Sequence, residues 1–193
     1  MNFDPVVVRH AVPLLADAGI PMIFVTFPLM VCALIPVIVI EAMVAKPLLD
    51  ARFGRSVWVL AVANVVSTLL GIPAAWVIVC VLELVFWGAL AAVSSKLPDS
   101  AAFKVLTVIL SAGWLGPMES DAYWAIPLAA IILLTPSFFL SWYIEAFVID
   151  HMTDREWKVA RATSFKANLA SYSALFVCGC LWLAFSLAKH KVR

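Results

Sequence analysis

Four long apolar blocks restrict the fold of this chain more than any other feature. A helix needs about 20 apolar residues to cross ~30 Å of hydrocarbon, and each block reaches that length; they cover about residues 20–44, 57–92, 122–149 and 167–188. The chain is 65% hydrophobic and only 13% charged, whereas a soluble domain is about 45–50% apolar and about 25% charged. The sequence therefore predicts an all-α integral membrane protein, with residues 1–193 forming a single membrane domain.

The second block is too long for one straight crossing, and Gly71-Ile72-Pro73 interrupts it. It is either one kinked helix that projects from the membrane or two segments joined by a turn. The piece before the break is short for a complete span, which favours the kinked helix and a bundle of about four main spans. Six crossings are the alternative, if the break is a turn and residues 101–116 also insert.

The polar stretches between the blocks divide the chain into two hairpins. Residues 1–19 predict an N-terminal interfacial helix, and residues 94–121 predict an interfacial connector with a helix over about 101–112. The first hairpin then covers residues 20–93. The second covers residues 122–193 and closes with a basic tail.

Both hairpins carry one polar pattern in the same register. A glutamate at the end of the first span is followed 23 positions later by an asparagine and then, three further on, by a serine: Glu41, Asn64, Ser67 and Glu145, Asn168, Ser171. Residues 40–71 and 144–175 align without gaps, and the three polar matches lie in apolar surroundings. The pattern predicts tandem hairpin repeats of the same orientation, as in some transporters and as simple duplication also produces.

This paired intramembrane polar cluster has two main interpretations. Each glutamate is expected to accept a hydrogen bond from the asparagine of its own hairpin, which makes an interhelical clamp of about 0.6 and up to ~2 kcal/mol per bond. Ionisable residues inside spans also mark ion and proton pathways. Two carboxylates with two amide oxygens would suit Na⁺, Ca²⁺ or Mg²⁺, and without a cation the two carboxyls would share a proton. A binding site for a lipid or a partner protein is the third interpretation.

No other set of residues indicates chemistry. The cysteines lie inside apolar blocks as small fillers, and the histidines lie outside them, without a nucleophile beside them: Cys32, Cys80, Cys178, Cys180, His10, His151 and His190. Asp150-His151 with Asp154 resembles a set of metal ligands but lacks a second histidine. The sequence thus predicts no catalytic residue, no metal site and no cofactor, and it does not favour an enzyme. A net charge of +1 gives no indication of nucleic-acid binding.

These observations predict a non-enzymatic polytopic membrane protein, a scaffold or accessory subunit of a membrane assembly in which the Glu/Asn pairs pack the helices. The alternative is a small ion- or proton-coupled transporter or channel that uses Glu41 and Glu145. The expected partners are the lipid bilayer and other membrane subunits or a second copy of the chain. The expected location is the cell's inner (plasma) membrane, and the hairpin loops hold seven of the 13 lysines and arginines, which favours cytoplasmic loops.

Overall fold

The structure, a computed structural model, describes residues 20–93, 101–115 and 121–191. These residues form five helices and two short strands: β1 Ile20–Pro21, α1 Ile23–Leu49, α2 Phe53–Val93, α3 Ala101–Leu110, β2 Trp114–Leu115, α4 Ala122–Met152 and α5 Trp157–Lys191. Four of these helices, α1, α2, α4 and α5, are long and apolar enough to cross a bilayer. The predicted all-α membrane bundle is confirmed.

The four long helices form a ring in which each packs against two others. Helix α1 contacts α2 and α5, and helix α4 contacts α5 and α2. Large apolar side chains such as Phe24, Ile35 and Leu84 point outward, whereas alanines and small polar residues fill the interior. This distribution is expected in a bilayer, where small residues let helix backbones approach and lipid solvates the apolar exterior.

The second apolar block is one continuous helix. Helix α2 runs from Phe53 to Val93 and passes through Pro73 without interruption. The interpretation as a single helix is confirmed, and the alternative with a turn at this point is wrong. Proline removes one intrahelical hydrogen bond, which neighbouring helices make tolerable inside a bundle.

The hairpin loops are shorter than the charge pattern predicts. Only residues 50–52 separate α1 from α2, and only residues 153–156 separate α4 from α5. The charged residues of the sequence predict loops over residues 46–55 and 150–166. This prediction is wrong, because charge alone does not end a helix. Lysine and arginine remain helical where the helix ends extend beyond the hydrocarbon, since their long stems reach the headgroup region.

A short strand pairing that the sequence did not predict joins the first hairpin to the connector. Ile20 pairs with Leu115 in the antiparallel ladder of β1 and β2. The first helix therefore begins at Ile23 rather than Ile20, and α3 ends at Leu110, two residues before the predicted end. The predicted N-terminal helix over residues 1–19 lies outside the described residues.

Gly113 anchors this connection against α2. Its carbonyl oxygen accepts hydrogen bonds from the Met22 amide at 3.0 Å and from the Trp76 indole nitrogen at 2.8 Å. A Cβ at this position would lie 2.8 Å from Cys80 Sγ and 3.1 Å from the Cys80 backbone nitrogen. Only glycine allows the connector backbone to approach the helix this closely.

Gly113→Ala is expected to lower the free energy of unfolding by about 1–3 kcal/mol, because the added methyl group has to displace backbone as well as a side chain. Thermal unfolding of the purified protein in mild detergent would measure this change. Gly88→Ala is the matched control, because a Cβ at Gly88 meets no atom of the described residues within 4 Å. Equal stability of the two variants would contradict the close approach at Gly113.

Candidate functional site

The structure brings the six polar residues of the repeated pattern into one cluster inside the bundle. Within the first hairpin, Asn64 Nδ2 donates to Glu41 Oε2 at 2.5 Å. Within the second, Asn168 Nδ2 donates to Glu145 Oε2 at 2.5 Å. Both are hydrogen bonds that the sequence predicted. They form because α1 and α2, like α4 and α5, run antiparallel from a short loop, which places the paired residues at the same depth.

The serines connect the two hairpins to each other. Ser67 Oγ, on α2, donates to Glu145 Oε1 at 2.8 Å, and Ser171 Oγ, on α5, donates to Glu41 Oε1 at 2.5 Å. Each serine lies one turn beyond the asparagine on the same helix face, and the packing of α2 against α4 and of α1 against α5 brings it to the glutamate of the other hairpin. Each carboxyl group therefore accepts one donor from its own hairpin and one from the other.

The cluster is buried and almost without free space. Glu41 is 0% exposed and Glu145 is 1% exposed. A void of only about 10 Å³ adjoins the cluster, and a single water molecule needs about 10–15 Å³. The two carboxyl groups thus accept their hydrogen bonds from four protein donors, and the void beside them is about the size of one water molecule.

The side chains of Asn64 and Asn168 point their amide nitrogens, and not their amide oxygens, at the carboxyl groups. Asn64 and Asn168 each donate a second bond to the backbone carbonyl one turn earlier, to Leu60 at 3.0 Å and to Ser164 at 3.1 Å. This orientation supplies hydrogen-bond donors, whereas the predicted cation site needs amide oxygens. The oxygen Oδ1 of Asn168 is buried and has no hydrogen-bond partner within the described residues.

Two cavities lie on opposite sides of the cluster along the bundle. The first, the apolar chamber, has a volume of about 210 Å³ and is lined by all four long helices. It shares Met30, Ile72 and Leu175 with the small void beside the cluster. The second, the loop cavity, has a volume of about 610 Å³ and lies between the two hairpin loops. The polar cluster separates these two spaces.

The sequence interpretation missed one hydrogen-bonded pair that borders the cluster. The Ser141 hydroxyl and the Tyr172 hydroxyl lie 2.9 Å apart and are buried, and both residues line the small void. A signal was present in the sequence, because Ser141 lies one helical turn before Glu145 and Tyr172 lies one turn after Asn168. Helical spacing places such residues next to the cluster.

The weaker candidates from the sequence do not join this cluster. His151 Nδ1 lies 2.8 Å from the Phe147 carbonyl oxygen and 3.8 Å from Asp150 Oδ2. Within residues 20–93, 101–115 and 121–191, no group of three His, Cys, Asp or Glu side chains could hold a metal ion. The four cysteines are free thiols on the spans. Comparison with protein families, curated proteins and solved structures finds no match to this chain.

Proposed function

We propose that this chain is a non-enzymatic membrane scaffold or accessory subunit whose two hairpins are locked together by the Glu/Asn/Ser cluster. The observation that carries the proposal is that each buried carboxyl group accepts hydrogen bonds from both hairpins. The void beside these groups measures only about 10 Å³. A site that exchanges hydrated ions needs room for an ion with its water shell, whereas the void beside this cluster is about the size of one water molecule. A closed network instead fixes the arrangement of the helices.

The energy of the cluster suits this structural role. Interhelical hydrogen bonds in membranes contribute about 0.6 kcal/mol on average and up to about 1.7 kcal/mol. The four bonds to the carboxyl groups therefore stabilise the assembled ring by a few kcal/mol. That is a substantial part of the stability of a single domain, and two of the four bonds act between the hairpins.

We further propose that the two hairpins arose by duplication. Positions 104 apart are equivalent in the two hairpins, and exchanging the hairpins converts the Asn64–Glu41 bond into the Asn168–Glu145 bond. The same exchange converts the Ser67–Glu145 contact into the contact from Ser171 to Glu41. This exchange is what a two-fold axis along the membrane normal would produce. We place the protein in the cell's inner membrane, with lipid and other membrane subunits or a second copy around the apolar exterior.

A small proton- or ion-coupled transporter is the second candidate. The observation that favours it is the position of the two glutamates between the apolar chamber and the loop cavity. Ionisable residues between two cavities are the arrangement expected of a proton relay. Opening the ring on one side would connect the cluster to one cavity at a time.

The double variant Glu41→Gln/Glu145→Gln distinguishes the two functions. The side-chain oxygen of each glutamine can accept the hydrogen bond from the asparagine, and the glutamine side-chain nitrogen can donate to the serine oxygen. The serine hydroxyl then donates to the backbone carbonyl oxygen of the asparagine one turn earlier, which lies 3.2 Å away in both hairpins. A scaffold should therefore keep its fold with a loss below about 1.5 kcal/mol. Proteoliposomes containing a pH-sensitive dye should show no proton flux above that of empty vesicles, either with this variant or with the wild type.

Glu83→Gln is the matched control, because Glu83 lies on α2 outside the cluster, where it accepts the Trp114 amide at 3.1 Å. Proton or cation flux in the wild type that survives in Glu83→Gln but disappears in Glu41→Gln/Glu145→Gln would overturn the scaffold proposal. That result would establish the transporter instead.

A further inference from the structure

The loop cavity is a polar space at one end of the bundle. It lies between the two hairpin loops and measures about 610 Å³. The spans end at these loops, so the cavity lies at the level of the lipid headgroups. Three arginines and two aspartates are part of its lining: Arg52, Arg55, Arg155, Asp50 and Asp154. This gives the lining an excess of positive charge.

The arginines of the lining differ in their existing partners. Arg155 Nη2 donates to the Leu49 carbonyl oxygen at 2.7 Å and lies 3.9 Å from Asp50 Oδ2, so this side chain holds the two loops together. Arg52 and Arg55 are exposed and form no ion pair with any residue in the described part of the chain. Two guanidinium groups therefore remain available to an anion.

The first turn of α2 adds neutral donors to these charges. The first amides of any helix have no acceptor within the helix and favour an anion there. Ser56, in this turn, lines the loop cavity and is 0% exposed. Its hydroxyl is one of three buried side-chain groups without a hydrogen-bond partner among the described residues. A buried hydroxyl normally has a partner, so the Ser56 hydroxyl is available to a ligand atom in the loop cavity.

The second hairpin lacks this feature. The residue 104 positions after Ser56 is Ala160, which is also fully buried but carries no polar group. The unpartnered hydroxyl is therefore not needed for packing at this place in the hairpin. It belongs to the first hairpin alone, together with Arg52 and Arg55.

We propose that the loop cavity binds a phosphate group, either the headgroup phosphate of an anionic lipid or free phosphate. The guanidinium groups of Arg52 and Arg55 pair with two phosphate oxygens, for which their planar donor forks are suited. The Ser56 hydroxyl and the free amides of the first turn of α2 donate to the remaining oxygens. Arg155 stays paired with Asp50 and keeps the two loops at a fixed distance.

Binding to the full-length protein in a neutral detergent tests this proposal. Short-chain phosphatidylglycerol and inorganic phosphate are the two probes, and thermal stabilisation of the protein over a concentration series gives the apparent affinity of each. Arg52→Gln/Arg55→Gln should bind about 25-fold more weakly, because an arginine near a membrane surface contributes about 1 kcal/mol and each 1.4 kcal/mol is about a tenfold change. Ser56→Ala should weaken binding about tenfold or more, because a hydrogen bond to a charged group contributes about 1.5–3 kcal/mol and each 1.4 kcal/mol is about a tenfold change.

Two matched controls separate the site from general effects of charge and polarity. Lys158→Gln/Lys166→Gln removes the same charge from exposed positions on α5 that do not line the cavity. Thr163→Val removes another buried and unpartnered hydroxyl that lies outside the cavity lining. Both controls should bind like the wild type.

The outcomes are distinct. If phosphatidylglycerol binds much more tightly than inorganic phosphate and loses this affinity in the arginine variant, the ligand is a lipid headgroup. If the two probes bind equally with the same dependence on Arg52 and Arg55, the site takes free phosphate. Absence of binding by both probes, or equal weakening in the lysine control, would overturn the proposal.

Discussion

Glu145→Leu is expected to lower the free energy of unfolding by about 2–4 kcal/mol. The leucine has a similar size but cannot accept the bonds from Ser67 and Asn168. Ser67 can turn to the Asn64 carbonyl oxygen at 3.2 Å, but one N–H of Asn168 remains buried without an acceptor. An unsatisfied buried donor costs about 1–3 kcal/mol, and the lost contact between the hairpins adds to it. Unfolding in mild detergent with increasing SDS would measure the loss.

Glu145→Gln is the matched control for this change, with an expected loss below about 1.5 kcal/mol, because the amide keeps one acceptor and one group that can bond to Ser67. Glu41→Leu should behave like Glu145→Leu, since Glu41 accepts the equivalent donors from Asn64 and Ser171. If leucine and glutamine have the same effect at position 145, the cluster does not hold the hairpins together.

Asn168→Asp is expected to destabilise the bundle by about 3–5 kcal/mol at neutral pH. The substitution replaces the Nδ2 donor, 2.5 Å from Glu145 Oε2, with a carboxylate oxygen. Two carboxylates would then be in direct contact inside the bundle, without a cation between them. Their buried negative charge is uncompensated, which destabilises the folded state. Thermal unfolding and the yield of folded protein from membranes would both report the loss.

Asn168→Ala is the control for the lost hydrogen bond without the added charge, and its expected cost is about 1–3 kcal/mol, because Glu145 Oε2 loses its donor. Asn64→Asp should match Asn168→Asp, because Asn64 has the same contact with Glu41 in the other hairpin. An Asn168→Asp protein as stable as Asn168→Ala would mean that the cluster admits a proton, water or a cation. Such a result would favour the transporter over the scaffold.

Much of this architecture follows from the sequence because its causes are local. The lengths of the apolar blocks determine where the spans lie. The numbers of residues from Glu41 and from Asn64 to the short loop between them place both side chains at the same depth. The predicted ends of the helices are less accurate, since the charge pattern predicts loop positions for Lys46 and Arg55, which lie in α1 and α2. In a chain that leaves the hydrocarbon, a helix continues until a residue such as Asp50 adopts a left-handed conformation, with φ 47°.

The sequence alone determined the membrane class, the helical character and the six polar residues of the repeated pattern. Only the tertiary structure decided how these residues combine. Ser67 and Glu145 are 78 positions apart, and nothing in local spacing specifies which hairpin a serine faces; the packing of α1 against α5 and of α2 against α4 does. The same is true of the strand pairing at Ile20 and of the loop cavity. Local forces act within a turn or a hairpin, whereas these contacts arise only when the ring closes.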